Sequence, residues 1–233
     1  MASTFHLQPH AEVAERVLAP GDPGRALRLA QWLLEKPPPM LNHHRGLWGY
    51  TGTAADGLPL TVQSTGMGGP SAAIVVEELI ALGARRIVRV GTCGALVDGP
   101  ALGDLLVADA VLGDDGTSRA LGAPERQAPD PALLAALTGA AGAGARTGTV
   151  VTGDLFYDPD PARPARWTAA GAIAVEMEAA AVLAVAGRHG AAAACVLAVT
   201  DLLAGGGRER IGADALAAAE QALGRVAYAA LAG

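Results

Sequence analysis

Cysteine is nearly absent from this chain: Cys93 and Cys195 are the only two in 233 residues. Two isolated thiols support no disulfide framework and have no metal-ligand spacing, which fits a reducing, cytoplasmic compartment. Aromatic residues make up 3% of the chain, and Phe5 and Phe156 are its only phenylalanines. Lysine occurs once, at Lys36, so nearly all positive charge is guanidinium. The Ala- and Gly-rich composition points to a GC-rich genome as the cause, and the bias carries no functional argument. Excess base is also missing. A net charge of -6 and a pI near 5.3 argue against a general nucleic-acid surface. No run reaches the roughly 18 uninterrupted apolar residues of a membrane span. The leader MASTFHLQPH lacks the basic and apolar regions of a secretory signal. No repeat, low-complexity stretch or linker interrupts the chain, whose length fits one domain with a sizeable core.

What is present is concentrated in residues 62–96, which read as strand, helix and strand. Residues 58–65 are short, apolar and β-branched, and Gly66, Gly68 and Gly69 then turn the backbone tightly into a helix that starts near Pro70 and stops at Gly83. Residues 86–90 form the next strand, followed by a glycine turn, Gly91-Thr92-Cys93-Gly94. Amides and a hydroxyl at the carboxyl end of a buried strand suggest an anion site. Arg89 lies inside that apolar strand and requires an acceptor, either a bound anion or a buried carboxylate.

The same pattern occurs earlier. Residues 16–20 read as a strand, and Gly21-Asp22-Pro23-Gly24-Arg25 turns into a helix ending near Leu34. Amide donors, helix dipole and the Arg25 guanidinium together suit phosphate, although Asp-Pro-Gly is also ordinary turn chemistry. A β-hairpin follows over residues 47–65 around Ala55-Asp56-Gly57, with Arg45 at its start. His43 and His44 are read as solvated rather than metal-binding. Beyond the central stretch come a strand at 104–112, a polar loop at 114–129, a helix at 130–143 and a strand at 146–152. The loop after that strand carries Phe156 and Tyr157, which serve either as a platform for a flat ligand or as a core anchor. A short strand at 172–175 runs into Glu176-Met177-Glu178, two carboxylates of which one can face a ligand while the other caps or pairs. The last buried strand, 192–199, ends in Thr200-Asp201, with Asp201 either catalytic or a structural cap. A helix over 213–231 closes the chain.

Taken in order, PGDPGR at 20–25, HRGLWGYTG at 44–52, TGMGGPS at 65–71, RVGTCG at 89–94, DLFY at 154–157, VEMEA at 175–179 and TD at 200–201 resemble the hexameric, bacterial-type purine and uridine nucleoside phosphorylases. The resemblance implies a single α/β domain over residues 1–233, with a mixed, twisted central β-sheet flanked by helices. It implies phosphorolysis of purine nucleosides in the cytoplasm, with inorganic phosphate as co-substrate and neither metal nor cofactor. Phosphate would be held by Gly21, Arg25, Arg89 and Thr92, with Arg45 reaching in from a neighbouring subunit of a homo-oligomer, a hexamer built as a trimer of dimers. His6, also from a neighbour, together with Met67, Met177 and Glu178, would contact the ribose. Phe156, Val175 and Thr200 would form the base pocket, and Asp201 would protonate purine N7. Cleaving a ribosidic bond builds positive charge at C1′ and negative charge on the base, so a held anion and an acid are the groups the chemistry needs.

One departure stands out. The family's arginine beside the acid, at the start of the last helix, is not at its usual spacing here, and Arg208 or Arg210 is left to fill the role. A uridine phosphorylase would carry glutamine and arginine after the aromatic loop, where residues 159–167 have arginines and no glutamine. A related nucleosidase would not need Arg25, Arg45 and Arg89, and a non-catalytic nucleoside-binding relative would be expected to lack them or Asp201.

Overall fold

The computed structural model of the protein describes residues 4–232; the first three residues of the leader and Gly233 lie outside the described residues. Eleven strands form one sheet: β1 (Arg16–Ala19), β2 (Met40–Asn42), β3 (Gly49–Thr53), β4 (Pro59–Gln63), β5 (Arg86–Ala95), β6 (Leu105–Asp114), β7 (Arg126–Gln127), β8 (Arg146–Gly153), β9 (Ala174–Glu176), β10 (Ala192–Leu202) and β11 (Glu209–Arg210). Seven α-helices accompany them among the described residues: α1 (Pro23–Leu33), α2 (Gly69–Ala81), α3 (Gly116–Ala120), α4 (Pro131–Ala141), α5 (Arg163–Ala169), α6 (Ala179–Arg188) and α7 (Ala213–Leu231).

The strands' period of two explains the layering. In β1, β5 and β10, Val17, Ile87 and Cys195 fall on one face and join a core made with α2 and α6. Their neighbours Leu18, Val88 and Val196 face the other way, into a core made with α1, α4 and α7. Buried on both faces, these strands are apolar almost throughout, as parallel pairs such as β1 with β5 and β5 with β10 require. The sheet is mixed, as expected, but it is not open. β10, β6, β8, β9 and β5 pair in sequence, and β5 pairs back with β10, closing a five-strand ring from which β1, β4, β3 and β2 extend.

This closure changes two readings of the glycines and the acid. Gly91 to Gly94 are not a turn: β5 continues through them to Ala95, pairing with β10 and then with β9. The glycines serve close approach instead. A Cβ on Gly91 would meet the Arg89 guanidinium and Leu197 at 2.8 Å, and one on Gly94 would meet Leu203 at 2.6 Å. Likewise Thr200 and Asp201 do not follow the strand but lie within β10, where a bulge between Val199 and Asp201 shifts the register against β5. A bulge of this kind re-aims side chains at the rim of a barrel.

Elsewhere the turn chemistry behaves as read. Gly66, Gly68 and Gly83 hold positive φ at either end of α2, Gly57 does so in the β3–β4 hairpin, and Asp130 caps α4 through the Leu133 amide. The stretch 114–129 is less irregular than expected, because Asp115 caps the short α3 and Arg126–Gln127 add an edge strand to β6. Residues 159–167, which follow the aromatic loop, carry a helix. Most of the segment's second half is α5, anchored by Trp167, whose ring N–H donates to Asp114 at 2.8 Å.

Candidate active site

A cavity of about 730 Å³ opens where the carboxyl ends of β1 and β5 meet the bulge of β10. Gly21, Arg25, Arg45, Met67, Arg89, Thr92, Phe156, Val175, Met177, Glu178, Thr200 and Asp201 all line it. These are all the expected site residues except His6. Segments as far apart as residues 21 and 208 converge there.

Arg89 is the centre of its deepest charge cluster and is 3% exposed. Its Nε donates to Glu176 at 2.8 Å and its Nη2 to Glu178 at 2.5 Å. The buried-pair alternative is therefore realised, yet it does not exhaust the guanidinium. Nη1 is buried with no hydrogen-bond partner among the described residues. Burial opposes the Arg89 charge, but Glu178 and Glu176 outweigh it and hold the pKa above its ordinary value. An arginine with a spare, buried donor beside a cavity is suited to an anion.

The two carboxylates divide their work as sequence spacing allowed. Glu176 accepts the amides of Glu178 and Ala179 at the start of α6 and the Thr152 hydroxyl at 2.5 Å, so it is committed to the fold. Glu178 accepts the Gly68 amide at 2.6 Å, shares Arg89 and lines the cavity. Burial pushes its pKa up; Arg89 opposes this and the Glu176 charge adds to it.

Arg25 lies on the first turn of α1, as predicted, but the helix end does not offer its first amides. Asp22 caps it, accepting from Gly24 at 3.1 Å and Arg25 at 2.7 Å. The amide-and-dipole part of the expected cradle is thus occupied by the protein's own carboxylate, and the Arg25 side chain is what faces the cavity. Gly21 comes close enough to the Gly66 carbonyl that an added Cβ would sit 3.3 Å from it, which brings the first two glycine loops together.

At the other end, Asp201 is buried and bonded through both oxygens. Arg208 Nε donates to Oδ1 at 2.8 Å, and the Thr200 hydroxyl donates to Oδ2 at 2.9 Å. Of the two arginines left open by the sequence, Arg208 is the one whose side chain bonds the acid; Arg210 stands opposite Asp201 in the β10–β11 pair, with its side chain exposed. The Arg208 guanidinium also lies 4.4 Å from the centre of the Phe156 ring, and Tyr157 meets that ring edge-on at 5.0 Å. Phe156 is 50% exposed, so it is no core anchor, but one of its faces is already covered by Arg208.

Arg45 occupies a positive-φ position, +59°, in the turn before β3 and lines the cavity of its own chain, although it was expected to serve a neighbour's. His6 does not line this cavity. It is held by Glu78, whose carboxylate takes the His6 ring at 2.8 Å and the His6 and Leu7 amides. The arginines of the segment after Phe156 are engaged elsewhere: Arg163 pairs with Asp158 at 2.6 Å and Arg166 with Asp160 at 2.5 Å. Cys93 lines the wall, but burial pushes its thiol and that of Cys195 well up, which makes both poor nucleophiles.

Sequence reasoning missed Trp167 and Leu203 in the lining and Glu220 behind it. Glu220 had a signal. It is a lone carboxylate within the stripe Ala219, Leu223 and Ala227 that α7 buries.

A mixed sheet with a partly closed barrel and a guanidinium-lined cavity at its rim defines the class. The family model of the Phosphorylase superfamily matches residues 15–232, and the chain belongs to that family. Among its relatives, the DeoD-type purine nucleoside phosphorylase of Geobacillus kaustophilus is 38% identical over 196 residues, covering 82% of each chain. The guanosine phosphorylase of Halorubrum lacusprofundi is 37% identical over 216 residues, 89% of this chain and 88% of its own. A second DeoD-type purine nucleoside phosphorylase, from Alkaliphilus metalliredigens, is 38% identical over 203 residues, 84% of this chain and 86% of its own.

Proposed function

We propose that this protein is a purine nucleoside phosphorylase, cleaving the N-glycosidic bond of purine ribo- and deoxyribonucleosides to free base and pentose 1-phosphate. The observation that carries the reading is the buried Nη1 of Arg89, unpartnered among the described residues, in a cavity that also holds Arg25 at one end and Asp201 at the other. Phosphate lies against Arg89, Arg25, Arg45, Gly21 and Thr92, behind the sugar. Glu178 accepts the ribose hydroxyls, with Met67 and Met177 against the ring and His6 supplied by a neighbouring subunit. The base lies near Phe156, Val175 and Thr200. A phosphate oxygen bonds to C1′ as the C–N electron pair leaves with the base, and Asp201 gives N7 the proton that neutralises it. Arg208 holds Asp201 in place.

The engagement of Arg163 and Arg166 by aspartates supports a purine over a pyrimidine pocket, because neither guanidinium is free to read a pyrimidine edge. The exposure of Met67 and Tyr157, each at least 80%, supports burial of this rim against another copy in a homo-hexamer. Among the described residues no helix is long and apolar enough to cross a membrane. The two buried free thiols support a cytoplasmic location. Base release from inosine, adenosine and uridine, each with and without phosphate, tests the function. Phosphate-dependent cleavage of the purines is the expected result. Faster cleavage of uridine would make the protein a uridine phosphorylase, phosphate-independent release a nucleosidase, and binding without release a non-catalytic relative.

A further inference from the structure

Arg25 comes from the first helix, and the group that fixes it comes from the last. Glu220 of α7 is 2% exposed and does not line the cavity. Its Oε1 accepts Arg25 Nε at 3.0 Å, and its two oxygens accept Arg28 Nε at 2.7 Å and Nη2 at 2.9 Å. Arg25 Nη1 makes a longer contact to the Val90 carbonyl, at 3.4 Å. Nη2 of Arg25 has no hydrogen-bond partner among the described residues. One side of the guanidinium is thus bound to the protein while the rest is left for the cavity.

The close contact of α1 and α7 makes this pairing possible. A Cβ on Gly224 would lie 2.4 Å from Leu29 Cδ2, so glycine here leaves the space that the Leu29 side chain fills between the helices. Leu29 and Gly224 each stand four residues beyond Arg25 and Glu220, on the same helix faces. The apolar contact therefore sets the distance at which the charged one forms.

A carboxylate behind an anion-binding arginine has two opposed effects. Its charge weakens the field felt by the anion, while its hydrogen bonds fix the direction of the guanidinium. Arg28 offsets the first effect, since it shares Glu220 and returns one positive charge to the buried cluster. Asp22 lies 3.4 Å from Arg28 as well, but half in solvent and bound to the α1 amides.

We infer that Glu220 is a positioning residue for phosphate capture: it acts through Arg25, and Arg28 keeps the pair electropositive. The inference rests on the proposed phosphorolysis. Orientation and charge make opposite predictions for Glu220→Gln. Removing the negative charge alone would strengthen phosphate binding, whereas loosening Arg25 weakens it. Glu220→Asp retains the charge and shortens the reach, so only positioning predicts a loss there.

The test is the KM for phosphate, the KM for inosine and kcat at saturating phosphate, in wild type, both Glu220 variants and Arg28→Gln. The expected result is a phosphate KM raised about tenfold in both Glu220 variants, with the inosine KM and kcat within about twofold of wild type. Arg28→Gln should raise the phosphate KM less than either. An unchanged or lowered phosphate KM in both Glu220 variants, or equal rises for both substrates, overturns the inference in favour of a structural ion pair. Failure of wild type to cleave any purine nucleoside would instead sink the functional reading. Glu220 would then be tested by phosphate's protection against thermal unfolding, which the same variants should reduce if it positions Arg25. Should Glu220→Gln fail to fold, Glu220→Asp carries the same comparison.

Discussion

The two ends of the cavity are built differently. Where β1, α1 and β5 meet, the charged groups are buried and bonded: Arg89 to two glutamates, Arg25 to Glu220. Around Phe156 and Arg208 the side chains stand half in solvent, and Arg208 follows a glycine-rich stretch whose Gly205 adopts positive φ. The first end suits a ligand that never changes, since inorganic phosphate is always a tetrahedral oxyanion and rewards donors fixed in advance. The second suits a ligand that varies at its edge. Buried ion pairs at one end hold direction, while at the other a cation–π contact and one salt bridge hold an acid with room to adjust.

If that division is right, the largest effect belongs to the acid. Asp201→Asn keeps the size of the side chain and removes its capacity to transfer a proton, which should lower inosine and guanosine turnover by about 10²- to 10⁴-fold. A substrate already cationic at N7, such as 7-methylguanosine, should be cleaved at a rate close to wild type. Equal losses for both substrates in a folded variant would make Asp201 a structural residue and erase the contrast between the ends.

The fixed end should fail differently. Arg89→Gln removes the counter-charge of Glu176 and Glu178 together, and breaking a buried pair this way costs about 3 to 5 kcal/mol of stability. The phosphate KM should rise, as expected for any phosphate ligand. Because Glu178 shares this guanidinium, nucleoside binding should weaken too, contrary to what a simple phosphate arginine would show. Denaturant unfolding alongside both KM values checks this; loss of phosphate affinity with unchanged stability would mean that the pair is not structural.

How much of this was legible in the sequence follows from the range of the interactions. Segments whose form depends on local chemistry were readable: Gly57 and Gly66 at positive φ, Asp130 as a cap, and α7 over its whole length. The candidate site residues stand in short motifs, and all but His6 line one cavity. What could not be read depends on partners far along the chain. Gly91 resembles a turn residue until Arg89 and Leu197 are seen against it, and the closed ring exists only because β5 pairs with both β9 and β10. Glu220 lies 195 residues from Arg25, and no local pattern joins them.

The adjustable end offers a smaller contrast within itself. Arg208→Ala removes a charge-assisted bond to Asp201 and the cover of Phe156, and should lower inosine kcat/KM by about tenfold. Arg210→Ala, at an exposed position two residues away, should stay within about twofold of wild type. Comparable losses in both would mean that the net charge of the segment matters and the Arg208–Asp201 bond does not.

The smallest effect on stability is expected at Glu178. Burial raises its folded pKa above the ordinary carboxylate range, against the pull of Arg89. A group whose pKa is raised on folding binds its proton more tightly in the native state. Its contribution to stability is therefore fully present below the unfolded pKa of about 4.3 and is lost as pH rises through the raised folded value. Glu178→Gln removes that titration and leaves Arg89 paired with Glu176. The variant should thus gain slightly in Tm relative to wild type at neutral pH, and the gain should fade as pH falls towards 4. It should also lose nucleoside affinity at neutral pH, because the ribose hydroxyls lose their charged acceptor, and this loss should shrink as pH falls and the wild-type carboxyl itself takes up a proton. A variant less stable than wild type at pH 7 would show that the Arg89–Glu178 bond outweighs the burial of its carboxylate, and the fixed end would then owe its rigidity to that second ion pair as much as to Glu176.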